Sequence, residues 1–215
     1  MFIGHFGVGF AGKKIVNKPS LGTLFLAAQF IDLLWPLMLL FGIERVEIDP
    51  GNTALTPLNF THYPVTHSLF SVLIWGIIFG ITYYLIKKDL KSSIWLGALV
   101  LSHWVLDLLV HKPDLQLMPW SEFRVGLGLW NNPAVSIVLE LLIFAAGIYL
   151  YMKMTKPKNK KGIYALWGLI TFLSIIYISN IFGPPPPSVE AIGIMGNLQW
   201  LIVIWGYWID RNREL

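Results

Sequence analysis

The sequence predicts an all-α membrane protein, a polytopic transmembrane helical bundle of about six spans with a short N-terminal re-entrant or interfacial helix. Of the 215 residues, 55% are hydrophobic and 13% are charged, whereas roughly a quarter of the residues of a soluble domain are charged. The apolar residues also gather in stretches of about 20, the length of a helix that crosses ~30 Å of hydrocarbon. We therefore expect residues 1–215 to form a single integral membrane domain.

Six apolar stretches are candidate spans. They cover about 20–42, 66–86, 92–110, 133–152, 162–182 and 190–209. The first follows basic residues, as a secretory signal core does, but it is too long, contains Asp32 and Pro36, and lacks a small-residue cleavage site, so we expect it to be retained. Residues 1–12 are too short to span and too apolar for a solvated tail, which predicts a half-helix dipping into the bundle or an interfacial helix.

Lysine and arginine residues are concentrated in every second predicted loop. They precede the first span, follow the second and fourth spans and follow the sixth, whereas the intervening loops hold few cations or balance them with acids. By the positive-inside rule, the N-terminal lysine cluster and the C-terminus are expected in the cytoplasm. The tetraproline at 184–187 predicts an extended segment between the last two spans.

Acids and histidines occur inside the predicted membrane region, where ionisable groups cost free energy unless they pair, face a cavity or bind something. Counting ~1.5 Å of rise per helical residue from the nearest lysine places them at a similar depth. The set comprises His5, Asp32, His67, His103, Asp107 and Glu140. We expect these groups to meet in the outer half of the membrane, in a region open toward loops 43–65 and 111–132.

His103 and Asp107 are one helical turn apart and therefore share a helix face. An imidazole and a carboxylate so placed can bind a metal. The chain has no cysteine, so a bound metal would use imidazole, carboxylate or water, which suits zinc, manganese or iron. The alternative for the set is a buried hydrogen-bond network that fixes helix packing, and Asp32 could instead satisfy backbone groups freed by Pro36.

Other polar and small residues favour structural interpretations. For the loop residues His62 and His111 a hydrogen-bonding role is favoured, and Asn180, Asn197 and Gln199 are expected to form hydrogen bonds between helices. Gly76 and Gly80 form a GxxxG pattern that permits close helix packing, more readily within the bundle than between chains.

Four motifs occur in order along the first part of the chain. They are Gly4-His5, Ile31-Asp32 followed by Pro36, His62-Tyr63-Pro64-Val65-Thr66-His67-Ser68-Leu69, and Ser102-His103 followed by Asp107. Their order resembles the LexA-regulated inner-membrane family of metal-dependent hydrolases. The similarity covers residues 1–145, the motif-bearing half, while residues 146–215 add two further spans without a motif.

The resemblance implies a site distantly like that of zinc-dependent phospholipase C, where histidines and aspartates from several helices hold a metal cluster. It implies that the metal ligands are His5, Asp32, His67, His103 and Asp107. This chain has one acid where the aspartate motif of relatives often has two, and its Ser136 stands at the histidine of a His-x3-Glu motif that ends at Glu140. One or two bound metals are therefore expected instead of three.

These features predict a membrane-embedded metal-dependent hydrolase that acts on a lipid or phosphoester. One or two divalent ions, zinc first and manganese or iron otherwise, would lower the pKa of water and polarise a phosphoryl or acyl oxygen. Glu140 and Asp107 are the predicted catalytic carboxylates, with Glu140 as the general base or an extra ligand.

Two other classes of function remain open at this stage. One is a transporter or permease with an intramembrane Asp/Glu/His ion or proton relay, and the other is a structural membrane protein whose metal ties helices together. The expected partners are membrane lipids and the lipid or phosphoester substrate. No nucleic acid is expected, because topology already explains the basic residues, and the sequence does not predict an oligomeric state.

Overall fold

Ten α-helices, one short 3-10 helix (Leu129–Asn131) and three short strand pairs make up the computed structural model, which describes residues 1–215. In chain order the helices are α1 (Ile3–Ile15), α2 (Leu21–Ala28), α3 (Phe30–Leu40), α4 (Pro64–His67), α5 (Leu69–Lys87), α6 (Leu90–Val110), α7 (Pro133–Met154), α8 (Lys160–Phe182), α9 (Val189–Asn197) and α10 (Gln199–Arg211). Five segments are long and apolar enough to cross a membrane, namely α5 to α8 and the joined α9 and α10, and the bent pair α2 and α3 makes a sixth. The predicted all-α polytopic bundle is confirmed.

Helix α1 lies inside the bundle, which agrees with the first of the two arrangements predicted for residues 1–12. Its residues Phe6 and Phe10 are fully buried. It packs against α7 at two glycines, since a Cβ added at Gly7 would lie 2.7 Å from the Ile143 carbonyl oxygen and one at Gly147 would overlap the Gly7 carbonyl. At 13 residues the helix is ~20 Å long and too short to span the membrane.

The first predicted span is bent by 56° between α2 and α3. The break falls at Gln29, whereas Pro36 lies within α3. Pro36 has no N–H to donate to the carbonyl of Asp32. That carbonyl instead accepts a hydrogen bond from Gln199 Nε2 of α10 at 3.4 Å.

The Gln199 contact confirms the predicted interhelical role of that side chain. Asn197 behaves differently, since its Nδ2 donates to the Gly193 carbonyl within α9, so the prediction of an interhelical bond there is wrong. Gly76 and Gly80 of α5 lie against α6, where added Cβ atoms would come 2.9 Å from the carbonyl oxygens of Gly97 and Ser93. The predicted close packing within the chain is therefore confirmed.

Short antiparallel strand pairs form in the loops between the helices and at the C-terminal end of α10. They are β1 (Arg45–Ile48) with β2 (Leu58–His62), β3 (Leu115–Gln116) with β4 (Arg124–Val125), and β5 (Lys156–Pro157) with β6 (Arg213–Glu214). The first pair carries Phe60, which is buried and packs its ring 5.4 Å from that of Trp35 in α3. This hairpin covers the end of the bundle where the predicted polar groups lie.

Candidate metal centre

The five predicted metal ligands meet in one buried cluster, although they come from α1, α3, α4 and α6. His67 Nε2 lies 3.6 Å from Asp32 Oδ1 and 3.8 Å from Asp107 Oδ2. His103 Nε2 lies 3.5 Å from Asp32 Oδ1 and 3.2 Å from Asp107 Oδ2. His5 Nε2 lies 3.1 Å from Asp107 Oδ1. Two three-residue subsets have ligand atoms within 4.8 Å of one another, His5 with His103 and Asp107, and Asp32 with His67 and His103.

His103 is oriented through its Nδ1, as metal-binding histidines commonly are. Its Nδ1 lies 2.9 Å from the carbonyl oxygen of Ala28, at the break between α2 and α3. A carbonyl can only accept, so Nδ1 carries a proton, and Nε2 is the nitrogen left for a metal. Nε2 is fully buried among the acids of the cluster.

His67 is oriented by a chain of two further polar residues. Its Nδ1 lies 2.7 Å from Thr66 Oγ1, and that hydroxyl donates to Glu44 Oε2 at 2.6 Å. Because the hydroxyl proton goes to Glu44, the oxygen accepts from Nδ1–H of His67, and Nε2 is the nitrogen that faces the cluster. Glu44 is itself held by the backbone N–H groups of Val65 and Thr66, each 2.8 Å from Oε1.

His5 stacks on His103 with ring centres 3.7 Å apart and ring planes 6° from parallel. Its Nε2 forms a hydrogen bond with Asp107 Oδ1, while its Nδ1 is buried without a partner. The amino nitrogen of Met1 lies 2.5 Å from the same aspartate oxygen. Asp107 therefore presents one oxygen to His5 and the other to His67 and His103.

The spacing of the ligand atoms is mostly wider than direct hydrogen bonds and is close to the spacing of ligands around a metal. Three of the four separations that join His67 and His103 to Asp32 and Asp107 are 3.5 to 3.8 Å, beyond the usual 2.7–3.2 Å of an N–H···O bond. Metal–ligand bonds of about 2.0–2.2 Å give a tetrahedron whose edges are about 3.3–3.6 Å. Two neutral imidazoles and two carboxylates would also balance one divalent cation, so the residues present fit a metal such as zinc.

Glu140, the predicted general base, lies beside the cluster and contacts the start of α1. Its Oε2 accepts hydrogen bonds from the backbone N–H groups of Phe2 at 2.9 Å and Gly4 at 3.3 Å. The carboxylate thus satisfies donors that a helix start leaves unpaired, and Oε1 forms no hydrogen bond. Its role as a base stays a prediction.

A cavity of about 630 Å³ opens from the cluster toward one end of the bundle. Asp32, His67, Asp107 and Glu140 border it on the inner side. Its outer walls come from residues 50–58 of the loop after β1 and from residues 183–187 after α8. The expected opening toward loop 43–65 agrees with this arrangement, whereas the tetraproline wall was predicted only as an extended connector. The lining residues include no lysine or arginine.

A second polar group, formed by His111, Asp114 and Tyr63, borders this cavity. His111 Nδ1 lies 2.9 Å from Asp114 Oδ1, and the Tyr63 hydroxyl donates to the same oxygen at 2.6 Å. All three residues are buried. Burial raises the pKa of the Tyr63 hydroxyl well above its usual value, and the adjacent Asp114 carboxylate raises it further, so the hydroxyl stays a donor.

Sequence reasoning missed Glu44 and Asp114 and did not assign a site role to Thr66 or Tyr63. Glu44 lies in a loop with other acids, and no pattern distinguishes it from Glu47, although it is 2% exposed in the fold. For Thr66 the available signal was its place next to His67, where a hydroxyl can reach the neighbouring ring.

Fold and cluster together define a class, the polytopic α-helical membrane proteins with a buried His/Asp site open to one end of the bundle. A sequence model of the YdjM inner membrane protein family matches residues 6–182. The chain therefore belongs to this family and is an integral inner-membrane protein. The match runs past residue 145, where the resemblance was expected to end, and includes α8. Comparison with curated proteins and with solved structures gave no match.

Proposed function

We propose that this protein is a membrane-embedded, metal-dependent hydrolase of a lipid or phosphoester. The observation that carries the proposal is a His/Asp donor set that fits a divalent metal and borders an open cavity. Structural zinc sites are closed by four protein ligands, whereas catalytic sites keep a position open. Asp32 has a 23% exposed side chain, which supports access from the cavity to the cluster.

The charges of the cavity favour a substrate whose binding depends on metal. Its walls contain carboxylates and imidazoles but no lysine or arginine. The Met1 amino group in the cavity lining is already paired with Asp107, so an anionic phosphoester would still be repelled by Asp32 and Glu140 without a further cation. The mouth lies at the loop end of the bundle, where lipid head groups are found. Both features agree with a lipid-linked or lipid head-group substrate.

In the proposed mechanism His67, His103, Asp32 and Asp107 would hold the metal, with His5 beside the second oxygen of Asp107. When bound, a divalent ion supplies a Lewis acid that lowers the pKa of water and polarises the substrate oxygen. The Ala28 carbonyl and Thr66 hold the Nδ1–H groups of the two imidazoles, so that Nε2 of each ring is the atom that would bind the metal. Glu140 Oε1, which forms no hydrogen bond, accepts the proton of the attacking water.

Elemental analysis of detergent-purified protein tests the metal centre directly. Wild-type protein should hold zinc, manganese or iron in stoichiometric amount, and His103→Ala and Asp107→Ala should each lose it. His62→Ala is the matched control, because His62 belongs to the same motif as His67 but is exposed. Wild-type protein that takes up none of these ions, even after reconstitution, would remove the proposed mechanism.

Turnover is tested on a panel of labelled lipids and phosphoesters with and without metal. Product release that needs both metal and His103 is the expected result. Metal-bound protein without turnover that moves metal or solute across proteoliposomes under a pH gradient would instead establish the transporter alternative. Metal that raises the melting temperature with neither turnover nor flux would establish a structural metal.

A further inference from the structure

His111 is fixed in the cavity wall by contacts on both its backbone and its ring. Its backbone N–H donates to the Asp107 carbonyl at 2.9 Å, and its own carbonyl accepts from Gly128 N–H at 2.7 Å. The ring lies 4.3 Å from that of Trp130 and 4.9 Å from that of Phe60, measured between centres. His111 therefore cannot move without displacing the segment around Gly128 and Trp130, and Trp130 also lines the cavity.

The ring nitrogens of His111 have different surroundings. Nδ1 lies 2.9 Å from Asp114 Oδ1, so it donates its proton to the carboxylate. Nε2, at the opposite side of the ring, forms no hydrogen bond within the chain, and His111 borders the cavity together with His67 and Asp107. A buried aspartate that holds an imidazole by Nδ1 and leaves Nε2 free is the arrangement of a proton-transferring histidine.

We propose that His111, oriented by Asp114, protonates the leaving group in the hydrolysis, an inference that rests on the proposed function. The ring centres of His67 and His111 are 6.5 Å apart, a separation that a small reacting group held at the cluster can bridge. Asp114 and Tyr63 act as positioning residues. The carboxylate stabilises the imidazolium, and the Tyr63 hydroxyl donates to the same Oδ1 and fixes its direction.

The step balances without a redox partner. The oxygen of water forms a bond to the phosphorus or acyl carbon, and the bond from that atom to the leaving oxygen breaks. The leaving oxygen keeps the electron pair and takes the proton from His111 Nε2, while the proton of the attacking water goes to Glu140. Glu140 then releases its proton to solvent and His111 takes one up from solvent, so both groups return to their starting protonation. One water is consumed, and one acid and one alcohol are produced.

Leaving-group dependence tests this assignment. A matched pair of phosphodiesters or carboxylic esters, whichever the wild type cleaves, carries either an alkyl leaving group or an activated nitrophenyl one. A proton donor matters only for the poor leaving group, and general acid catalysis is worth roughly 100-fold or more. His111→Gln should therefore lose roughly 100-fold or more on the alkyl substrate and much less on the nitrophenyl substrate.

Two companion variants separate catalysis from folding and from metal binding. Asp114→Asn should show the same split between leaving groups, while the exposed control His62→Gln should cleave both substrates as the wild type does. Metal content should be unchanged in His111→Gln and in Asp114→Asn.

Three outcomes would overturn the assignment. Equal losses on both substrates would show a structural role for His111, and loss of the metal in His111→Gln would make it a ligand instead of an acid. Wild-type protein without metal-dependent turnover would overturn the proposed function, and this step with it. That outcome is read from the wild type alone and so is distinct from the first two.

Discussion

Single residues outside the ligand set determine the chemistry of the histidines. Ala28 offers a carbonyl to His103 only because the helix breaks at Gln29, and Thr66 passes a hydrogen bond from His67 to Glu44. Contacts of this kind orient a ligand and raise its basicity, and their loss commonly weakens metal binding. The proposed metal affinity would therefore depend on neutral residues as well as on the acids and imidazoles.

Replacement of Thr66 by valine should weaken the metal site. Thr66→Val keeps the shape of the side chain but leaves His67 Nδ1–H and Glu44 Oε2 without their shared partner. We expect metal affinity to fall roughly 10- to 100-fold, measured by competition with a chelator. Thr61→Val is the control, since the Thr61 hydroxyl makes only a 3.4 Å contact with the Arg45 carbonyl. Equal affinities for both variants and the wild type would remove the proposed relay.

At the scale of elements, glycines and one buried ion pair position the N-terminal helix. Helix α1 meets α7 through Gly7 and Gly147, and this close approach brings His5 to the cluster. At the other end of α1, Lys13 Nζ lies 2.7 Å from Asp210 Oδ2 of α10. The same carboxylate accepts from the Tyr151 hydroxyl and from Leu21 N–H. One acid thus joins the ends of four helices.

A methyl group at position 147 should separate α1 from α7. The Cβ of Gly147→Ala would overlap the Gly7 carbonyl, which is backbone and cannot rotate away. We expect a loss of roughly 1–3 kcal/mol in stability, seen as a lower melting temperature, together with weaker metal binding as His5 moves. Gly168→Ala in α8 is the matched control, because its Cβ meets only the Trp205 ring at 3.3 Å. Two equally stable variants would contradict the close contact.

Two lysines paired with aspartates provide a comparison of buried and exposed ion pairs. The side chain of Lys13 is 6% exposed and that of Lys18, 3.3 Å from Asp89, is 72% exposed. Lys13→Met leaves Asp210 buried without its counter-charge and should cost about 3 kcal/mol. Lys18→Met should leave the stability nearly unchanged, because its pair with Asp89 is exposed to solvent. Thermal melting in detergent measures both, and similar shifts for the two variants would show that the Lys13 pair is not stabilising.

The whole molecule forms the cavity from segments far apart in the chain. Its walls combine the loop after β1, the end of α6, Trp130 and the prolines that follow α8. Tyr177 and Asn180 of α8 also contribute, so the last part of the chain, which carries no motif, takes part in the site. A chain of residues 1–145 alone would therefore lack one wall of the cavity.

The orientation of the bundle in the membrane is a prediction at the scale of the whole chain. The chain has no cysteine, so an introduced cysteine is a unique label. Glu122→Cys and Lys158→Cys place it at exposed positions of two successive loops, between α6 and α7 and between α7 and α8. An impermeant maleimide should label Glu122→Cys in intact spheroplasts and Lys158→Cys only after lysis. The reverse pattern would invert the topology, and labelling of both would show that α7 does not span.

Composition and hydropathy were sufficient to predict the class of fold, the approximate positions of the spans and the meeting of the acids and histidines in one region. These properties follow from local physics, because a stretch of about 20 apolar residues must become a helix in lipid and its rise per residue sets the depth of each group. The four-residue spacing of His103 and Asp107 placed these two side chains on one helix face.

Only the tertiary structure decided which neighbours these groups have. The bend at Gln29, the Glu44–Thr66–His67 chain and the pairing of His111 with Asp114 join residues whose contacts depend on how helices and loops pack. Loop acids such as Glu44 and Glu47 look alike in sequence, and burial alone separates them. Hydrophobicity thus determined where each helix lies, and close packing, through the glycines and the helix break, determined which polar atoms meet.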